Sequence, residues 1–335
     1  MPSMRKIIKK TILVLAALFI LLILYLSVDF GSSSVKMRWG ASFSKSYAES
    51  LGLDWKQTYL ALLDDLKVSN FRLSSYWSEI EKSRGVYDFS DLDFMVQNAA
   101  ERNRKIVFTL GLRQPRWPEC HVPSWAGDMP WQDKQGLVLE FVKKTVERYK
   151  DQPAIEAWQV ENEFFVKWFG ICPKGEEGFL TRELDLVRSL DSRPIILTDS
   201  GELSWWFKAA RGADIFGTTM YRKVYAPWGV AQWPYPPVYY SRLGKLVRAF
   251  AGFERMIIAE LQAEPWAKTT LKDDSTAVNY ITFDPEQFKK NIAFASRSGI
   301  PEAYLWGGEW WYYMKTVRGV DDYWDIAKKL WQERN

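Results

Sequence analysis

The sequence predicts an α/β fold in which a closed (β/α)8 TIM barrel follows one N-terminal transmembrane helix. From residue 36 onward, eight short β-like segments alternate with segments of helical periodicity. Helices between consecutive strands imply a parallel sheet, and eight such units favour a closed barrel over an open doubly wound sheet. The chain has 335 residues, and the part after the apolar N-terminal run is long enough for one barrel of this kind.

The N-terminal helix is predicted from an uncharged, almost wholly apolar run at 11–28. A helix over this run would be about 27 Å long, which is close to the thickness of a bilayer's hydrocarbon core. Basic residues in the segment 1–10 place that segment in the cytoplasm and the domain that follows on the other side of the membrane. The length of the run favours an uncleaved, single-pass signal anchor over a cleaved signal peptide and secretion. Residues 29–36 are then expected to be a short flexible linker to a barrel domain at 37–335.

Two periodicities predict the barrel elements. Runs rich in β-branched and aromatic residues, such as KIVFTLG at 105–111, predict strands. Apolar residues at helical spacing, as at Leu92, Met95, Val96 and Ala99, predict helices. The predicted strands are 37–42, 70–74, 105–111, 155–162, 194–198, 214–220, 255–260 and 302–306. The predicted helices are 54–67, 90–103, 133–149, 176–190, 202–210, 238–250, 285–298 and 321–333.

Composition excludes some functions and favours one kind of surface. The formal net charge is +4, and four of the positive charges lie before residue 11, so no nucleic-acid partner is predicted. No G-x-G-x-x-G follows the first strand and no helix is expected to start at Gly307-Gly308, so no dinucleotide cofactor is predicted. The 18 Trp residues fit either a large aromatic core or a groove whose indole rings stack on sugars.

Polar residues lie at the carboxyl ends of the predicted strands, where barrels of this kind carry their functional groups. They are Arg72 on strand two, Glu161, Asn162 and Glu163 at the end of strand four, Tyr221 at the end of strand six, Glu260 on strand seven and Trp306 on strand eight. Carboxylates on strands four and seven lie on opposite sides of the barrel mouth. Glycoside hydrolysis needs such a pair: one protonates the leaving oxygen, and the other attacks the anomeric carbon or activates water.

Three segments of the sequence resemble clan A glycoside hydrolases. AWQVENEF at 157–164 resembles their strand-four motif, especially in the form of β-galactosidase families 35 and 42. RLSSYWSEIEKSRGVYDFSDLD, which starts at Arg72, resembles the second strand and helix, and IIAELQAEPW resembles the segment that carries the nucleophile. The similarity extends from Trp39 to Trp306. It implies a retaining β-glycosidase that acts on an oligo- or polysaccharide, with no metal and no cofactor.

The resemblance also implies roles for the strand-end residues. Glu163 would be the acid/base, because it directly follows Asn162 in the motif, and Glu260 would be the nucleophile. Asn162 would bind the 2-hydroxyl of the sugar. Arg72 would orient Glu260, and Tyr221 would donate a hydrogen bond to it.

Aromatic residues complete the predicted sugar site. The resemblance implies that Trp306 is a platform under the sugar beside the scissile bond. The segment 221–240 is too long for an ordinary strand–helix connection, and such loops are usually functional or disordered. We expect Trp228 or Trp233 to overhang the cleft and stack on a sugar. A loop that packs on the barrel rim, or that contacts the membrane, is the alternative.

Other interpretations stay open at this point. A non-catalytic, membrane-anchored carbohydrate-binding barrel would keep the aromatic groove and lose a carboxylate, whereas both are present. An aldolase would need a lysine at a strand end, and no predicted strand ends in one. Strand alternation puts Glu161 on the same side as Glu163, and Glu264 is expected to lie in the loop after Glu260.

The two cysteines and the single histidine form a separate group. The spacing of Cys120, His121 and Cys172 is not a metal pattern, although the three could in principle hold zinc. Outside the cytoplasm, the cysteines could form a disulfide between the loops after strands three and four. His121 is expected to bind substrate or to face solvent.

Overall fold

The architecture is a closed parallel barrel, as the sequence predicts. A computed structural model describes residues 4–226, 228–266, 270–273, 275 and 280–332. The strands are β1 (Arg38–Phe43), β2 (Asn70–Ser74), β3 (Lys105–Leu110), β4 (Ile155–Val160), β5 (Ile195–Asp199), β6 (Ile215–Met220), β7 (Lys223–Ala226), β8 (Gly229–Gln232), β9 (Arg255–Gln262) and β10 (Glu302–Trp306). Strands β7 and β8 form an antiparallel hairpin, and the other eight close the barrel in sequence order, with β10 pairing in parallel with β1.

Helices connect most of the barrel strands and cover the outside of the barrel. In chain order the helices are α1 (Met4–Ser27), which precedes the barrel, α2 (Lys45–Ser50), α3 (Trp55–Asp64), α4 (Trp77–Ile80), α5 (Ser90–Glu101), α6 (Trp131–Tyr149), α7 (Glu177–Leu190), α8 (Val238–Ala251), α9 (Pro285–Ser296), α10 (Gly308–Thr316) and α11 (Asp322–Gln332). Side-chain caps fix two of the starts: Asp54 accepts from the Gln57 N–H, and Asp284 accepts from the Gln287 N–H.

Three sequence predictions about these connections are wrong. The helix predicted at 202–210 is absent, and the chain there forms turns. Trp206 has a φ of 64°, outside the helical range, and its indole N–H donates to the Ser200 carbonyl 2.8 Å away. A helix does start at Gly308, directly after β10. The hairpin of β7 and β8 occupies part of 221–240, where only a loop was expected.

Two layers of apolar side chains hold the barrel together. Inside the barrel lies a small cluster of aliphatic and alanine side chains with Tyr304. A larger, aromatic-rich cluster fills the space between the strands and the helices. Six fully buried tryptophans belong to it: Trp77, Trp158, Trp206, Trp310, Trp311 and Trp324. The high Trp content is therefore in part a property of the core, where each ring contributes a large buried area.

Helix α1 extends away from the barrel, and its end contacts it. Among the described residues, α1 is the one helix that is both long enough and apolar enough to cross a membrane. A signal sequence has the same property. Its side chains are exposed except for Leu26, which belongs to the main core cluster. The Arg242 guanidinium on α8 donates to the carbonyls of Tyr25 and Val28. The segment between α1 and β1 also contacts the barrel, because the Val35 N–H donates to the Ser296 carbonyl.

Candidate active site

Arg72 and Tyr221 hold the carboxylate of Glu260 from two sides. Glu260 lies on β9, and its Oε1 accepts from the Arg72 guanidinium at 2.9 Å. Its Oε2 accepts from the Tyr221 hydroxyl at 2.9 Å. Burial and the negative charge of Glu260 raise the pKa of Tyr221 well above its usual value, so the phenol keeps the proton that it donates. Both contacts that the sequence predicts for Glu260 are therefore present.

Arg72 also fixes the amide of Asn162. Its buried guanidinium donates to the Asn162 Oδ1 and to the Gln159 Oε1, each at 2.7 Å. The Thr198 hydroxyl donates to the same Asn162 oxygen at 3.1 Å. Because donors occupy the oxygen, the amide is oriented with its N–H groups on the other side. One of these N–H groups donates to Glu119 Oε2 at 3.3 Å.

Glu163 follows β4 in an environment that favours a protonated carboxyl. Its φ is 46°, in the left-handed region, and its backbone N–H donates to the Thr198 hydroxyl oxygen at 2.9 Å. Burial is the first cause that raises the pKa of Glu163 well above its usual value, and the negative charge of Glu260 is the second. Glu119 and Asp199 add to this effect. The surroundings of Glu163 therefore favour its protonated form, whereas Glu260 is held by two hydrogen-bond donors.

A cavity of about 900 Å³ opens at the barrel mouth beside these residues, and Arg72 and Asn162 lie behind its lining. Glu163 and Glu260 both line it, together with the three tryptophans that the sequence predicts, Trp306, Trp228 and Trp233. Trp228 is on the turn between β7 and β8 and is 80% exposed. A cavity of this size can enclose more than one sugar unit.

An arginine that sequence reasoning missed contacts the predicted platform. The guanidinium of Arg116 lies 4.1 Å from the ring centre of Trp306 and 3.6 Å from that of Tyr47. It is ion-paired with Glu264 and, at 3.2 Å, with Glu309. Glu264 does lie in a loop, as expected, yet its buried side chain lines the cavity. No sequence periodicity assigns contacts to side chains in such loops.

Glu119 is a further carboxyl that lines the cavity, and no sequence pattern selected it. It lies in the loop after β3 with a φ of 70°, and it is almost wholly buried. Burial and the charge of Glu260 raise the pKa of Glu119 to about 8, although Arg113 and Asn162 oppose the shift. The one sequence feature that could have indicated Glu119 is that it directly precedes Cys120, in a loop predicted at the catalytic face.

Two other sequence expectations are corrected. Strand β4 ends at Val160, and Glu161 has a φ of 58°, so strand alternation does not continue to Glu163. The Glu161 carboxylate instead accepts the backbone N–H groups of Leu112 and Arg113, each at 2.7 Å. His121 neither lines the cavity nor faces solvent: it is buried and stacks on Tyr76, and burial lowers its pKa to about 4.

Cys120 and Cys172 form a disulfide, with their Cα atoms 5.3 Å apart. It joins the loops after β3 and β4, as the sequence suggested, and this pairing rules out a zinc site built from Cys120, His121 and Cys172. The Arg113 guanidinium reinforces the connection by donating to the carbonyls of Val166 and Phe169 at 2.6 and 2.8 Å.

Comparison with known proteins supports the same relationship. No family model matches the chain. It is 33% identical to the β-galactosidase LacZ of Lactobacillus acidophilus over 106 residues, which cover 26% of this chain and 16% of that protein. It is 29% identical to the β-galactosidase bgaB of Geobacillus kaustophilus over 108 residues, again 26% of this chain and 16% of that protein. The aligned part is about a sixth of the length of these curated relatives.

Solved structures extend the similarity over most of the barrel. GH5_18 from Streptomyces cattleya, in complex with GlcNAc, matches with a TM-score of 0.56 and 13% identity, over 82% of this chain and 71% of that one. The GH42 β-galactosidase Gan42B matches with a TM-score of 0.55 and 13% identity, over 82% of this chain and 51% of that one. At this identity the likeness is one of fold. The barrel and the local sequence similarity together confirm that this chain resembles the clan A glycoside hydrolases.

Proposed function

We propose that the chain is a retaining β-glycosidase, with Glu260 as nucleophile and Glu163 as acid/base. The observation that carries the proposal is the contrast between the two carboxyls that line one cavity. Arg72 and Tyr221 each donate a hydrogen bond to Glu260, which stabilises a carboxylate, whereas the surroundings of Glu163 raise its pKa. Two carboxyls whose surroundings separate their protonation states are the requirement for this chemistry.

In the proposed reaction, the Glu260 carboxylate attacks the anomeric carbon while Glu163 gives its proton to the glycosidic oxygen. The bond to the leaving group breaks, the free alcohol departs, and a glycosyl ester forms on Glu260. Glu163, now ionised, then removes a proton from water, and the resulting hydroxide displaces Glu260 from the anomeric carbon. The sugar leaves with retained configuration, and both carboxyls return to their initial states.

Substitution of the two carboxyls tests this assignment. Glu260→Ala should abolish hydrolysis of aryl β-glycosides, and azide should rescue it with formation of a glycosyl azide. Glu163→Ala should slow substrates with poor leaving groups far more than activated aryl glycosides. Glu254→Ala is the matched control, because Glu254 directly precedes β9 and its side chain is exposed. Wild-type turnover in Glu260→Ala would contradict the assignment.

The stereochemical outcome is a separate test. Retention requires the carboxyl groups of Glu163 and Glu260 to be about 5–5.5 Å apart, whereas inversion requires about 6.5–9.5 Å. Nuclear magnetic resonance of the first-formed anomer distinguishes the two. Sugar binding without turnover in the wild-type chain would instead favour a non-catalytic carbohydrate-binding barrel.

We further propose that Trp228 and Trp233 contact the substrate next to the scissile bond. Both line the cavity, and Trp228 is exposed at the tip of the β7–β8 hairpin. Arg72, Asn162, Tyr221 and Trp306 then complete the binding site on the sugar side. Unchanged kcat/KM in both Trp228→Ala and Trp233→Ala would contradict a role in binding.

For location, we propose a signal anchor at 11–28, with residues 1–10 in the cytoplasm, a linker at 29–36 and an extracytoplasmic barrel at 37–335. The apolar run of α1 and the basic residues at the start of that helix support this arrangement. The barrel should stay with the membrane after carbonate extraction and be degraded by protease added from outside. Release of a shortened chain into the medium would indicate a cleaved signal sequence.

A further inference from the structure

The two ends of the cavity differ in chemistry. The end beside β1 and β10 carries charged and hydroxyl groups, namely Arg116 with its partner Glu264 and Ser46 and Ser50, next to apolar groups such as Leu51 and Trp306. The end beside the loops after β4, β5 and β6 carries mainly apolar groups, besides Ser200, Glu202 and Thr219. The apolar groups are Val166, Trp168, Phe169, Leu203, Val224 and Trp228.

Four of these six apolar side chains are exposed, whereas Val166 and Val224 are buried. Trp168 is 58% exposed, Leu203 is 52% exposed and Trp228 is 80% exposed. Contiguous exposed apolar side chains at a cleft are typical of a binding surface. The carboxylate of Glu202 at this end is already engaged, since it accepts from the Tyr221 N–H and the hydroxyls of Thr219 and Tyr240.

Glu163 determines which part of the substrate meets this surface. The acid must contact the oxygen of the leaving group, so the leaving group lies on the side of Glu163. Val166, Trp168 and Phe169 belong to the loop that follows Glu163, and Leu203 follows β5, the neighbouring strand. The apolar end is therefore the end that the leaving group enters.

We propose that this cavity accepts β-glycosides whose leaving group is an apolar alcohol, such as the alkyl or acyl-chain-bearing part of a glycolipid. The proposal rests on the proposed glycosidase function and narrows its substrate class. A second sugar at this end would stack one face on Trp168 or Trp228, but its hydroxyls would lose water against the aliphatic side chains, which is unfavourable without hydrogen-bonding partners. An alkyl chain at the same place gains from burial.

The contact between the end of α1 and α8 points to a membrane as the source of such a substrate, if α1 is the proposed anchor. Arg242 on α8 contacts the carbonyl of Val28 at 2.6 Å, at the end of the apolar helix. The hairpin that carries Trp228 ends at Gln232, only a few residues before α8 begins. Trp228 and the contact with the end of α1 therefore lie on consecutive segments of the chain, the β7–β8 hairpin and α8.

The first test uses the full-length chain in phosphatidylcholine nanodiscs. The substrates are methyl, butyl and hexyl β-D-glucosides and β-D-galactosides, with cellobiose and lactose for comparison. The alcohols released from these alkyl glycosides have similar acidity, so their reactivity as leaving groups is nearly the same. A dependence of kcat/KM on chain length therefore reports the contact between the alkyl chain and the cavity. We expect kcat/KM to rise about fourfold for each added methylene that is buried, which corresponds to about 0.8 kcal/mol. The disaccharides should react more slowly than the hexyl glycosides.

Matched variants locate the effect. Trp168→Ala and Leu203→Ala should reduce the dependence on chain length. Trp205→Ala is the control, because Trp205 is 64% exposed in the loop after β5 but does not line the cavity, and it should leave the dependence unchanged. An equal reduction in Trp205→Ala would overturn the proposed site, because the dependence would then come from general partitioning into lipid.

The outcomes separate this proposal from the proposed function. Hydrolysis of 4-nitrophenyl β-glycosides without any dependence on alkyl chain length, or with a preference for disaccharides, overturns the apolar site and leaves the glycosidase intact. If nothing is hydrolysed, tryptophan fluorescence titration with the same alkyl glycosides decides. Affinity that rises with chain length supports the apolar site, and affinity that does not overturns it. A dialkylglycerol β-galactoside in phosphatidylcholine vesicles then distinguishes a membrane lipid from a free alkyl glycoside.

Discussion

Removal of the disulfide should cost stability and largely spare the site. The bond between Cys120 and Cys172 closes a loop with a sequence separation of 52. Constraint of the unfolded chain by a loop of that length contributes about 4 kcal/mol to the free energy of unfolding. We expect the double variant Cys120→Ser/Cys172→Ser to lose about this amount, which is a large part of the stability of an ordinary domain.

The folded geometry should survive because other contacts hold the same two loops. The Arg113 guanidinium donates to the carbonyls of Val166 and Phe169, and the Asn162 N–H donates to the Arg113 carbonyl at 2.7 Å. Glu119, next to Cys120, is also held by its contact with Asn162. The double variant should therefore keep most of its kcat/KM at temperatures where it stays folded.

Guanidinium chloride unfolding of the domain 36–335, with and without dithiothreitol, measures the effect. Reductant should destabilise the wild-type domain by a similar amount. It should leave the stability of the double variant unchanged, and that variant therefore controls for any other effect of the reductant. A loss below about 1 kcal/mol would refute the reasoning from chain entropy. Two thiols that react with a labelling reagent in the exported wild-type protein would refute the disulfide itself.

Three further substitutions test other contacts. Glu119→Gln should move the alkaline limb of the kcat/KM profile to lower pH: the charge of Glu119 raises the pKa of Glu163, so its removal lets the acid lose its proton earlier, and an unmoved limb would contradict this. Tyr221→Phe should reduce kcat roughly 100-fold in steady-state kinetics because Glu260 loses a donor, whereas an equal loss in Tyr239→Phe, outside the cavity lining, would indicate a general effect. Gly307→Ala should lower the unfolding free energy by about 1–3 kcal/mol in denaturant titration, since Gly307 has a φ of 145° and an added Cβ would lie 2.7 Å from a backbone carbonyl oxygen; Gly85→Ala, with a φ of 79° and open space, should lose less.

The barrel and its strand-end residues could be predicted because both depend on regular backbone. Side-chain direction along a strand follows from sequence spacing, and the carboxyl ends of all barrel strands meet at one face. Arg72 and Glu260 lie far apart in sequence, yet a barrel brings them to that face. Their contact, and that of Tyr221 with Glu260, therefore followed from strand position together with the resemblance.

The residues that were missed lie where backbone periodicity ends. Glu119 and Arg116 have positive φ values in an irregular loop, so no repeat assigns a direction to their side chains. Glu161 was misassigned for the same reason, since its φ of 58° interrupts the strand two residues before Glu163. The helix predicted at 202–210 failed because Trp206 and the Ser200 carbonyl form a local contact that a helical spacing of apolar residues does not reveal.

Arg72 connects the predicted and the missed parts of the site. One guanidinium donates to Gln159 on β4, to Asn162 just beyond it and to Glu260 on β9, so it joins opposite sides of the barrel mouth. Through Asn162, the same network reaches Glu119. The planar guanidinium has N–H donors in fixed directions and can make these contacts at the same time. A lysine ammonium, a compact charge on a flexible chain, could not reach all three partners in this way. This one buried arginine therefore holds Glu260 directly and is connected to Asn162, the residue that precedes Glu163, and through it to Glu119.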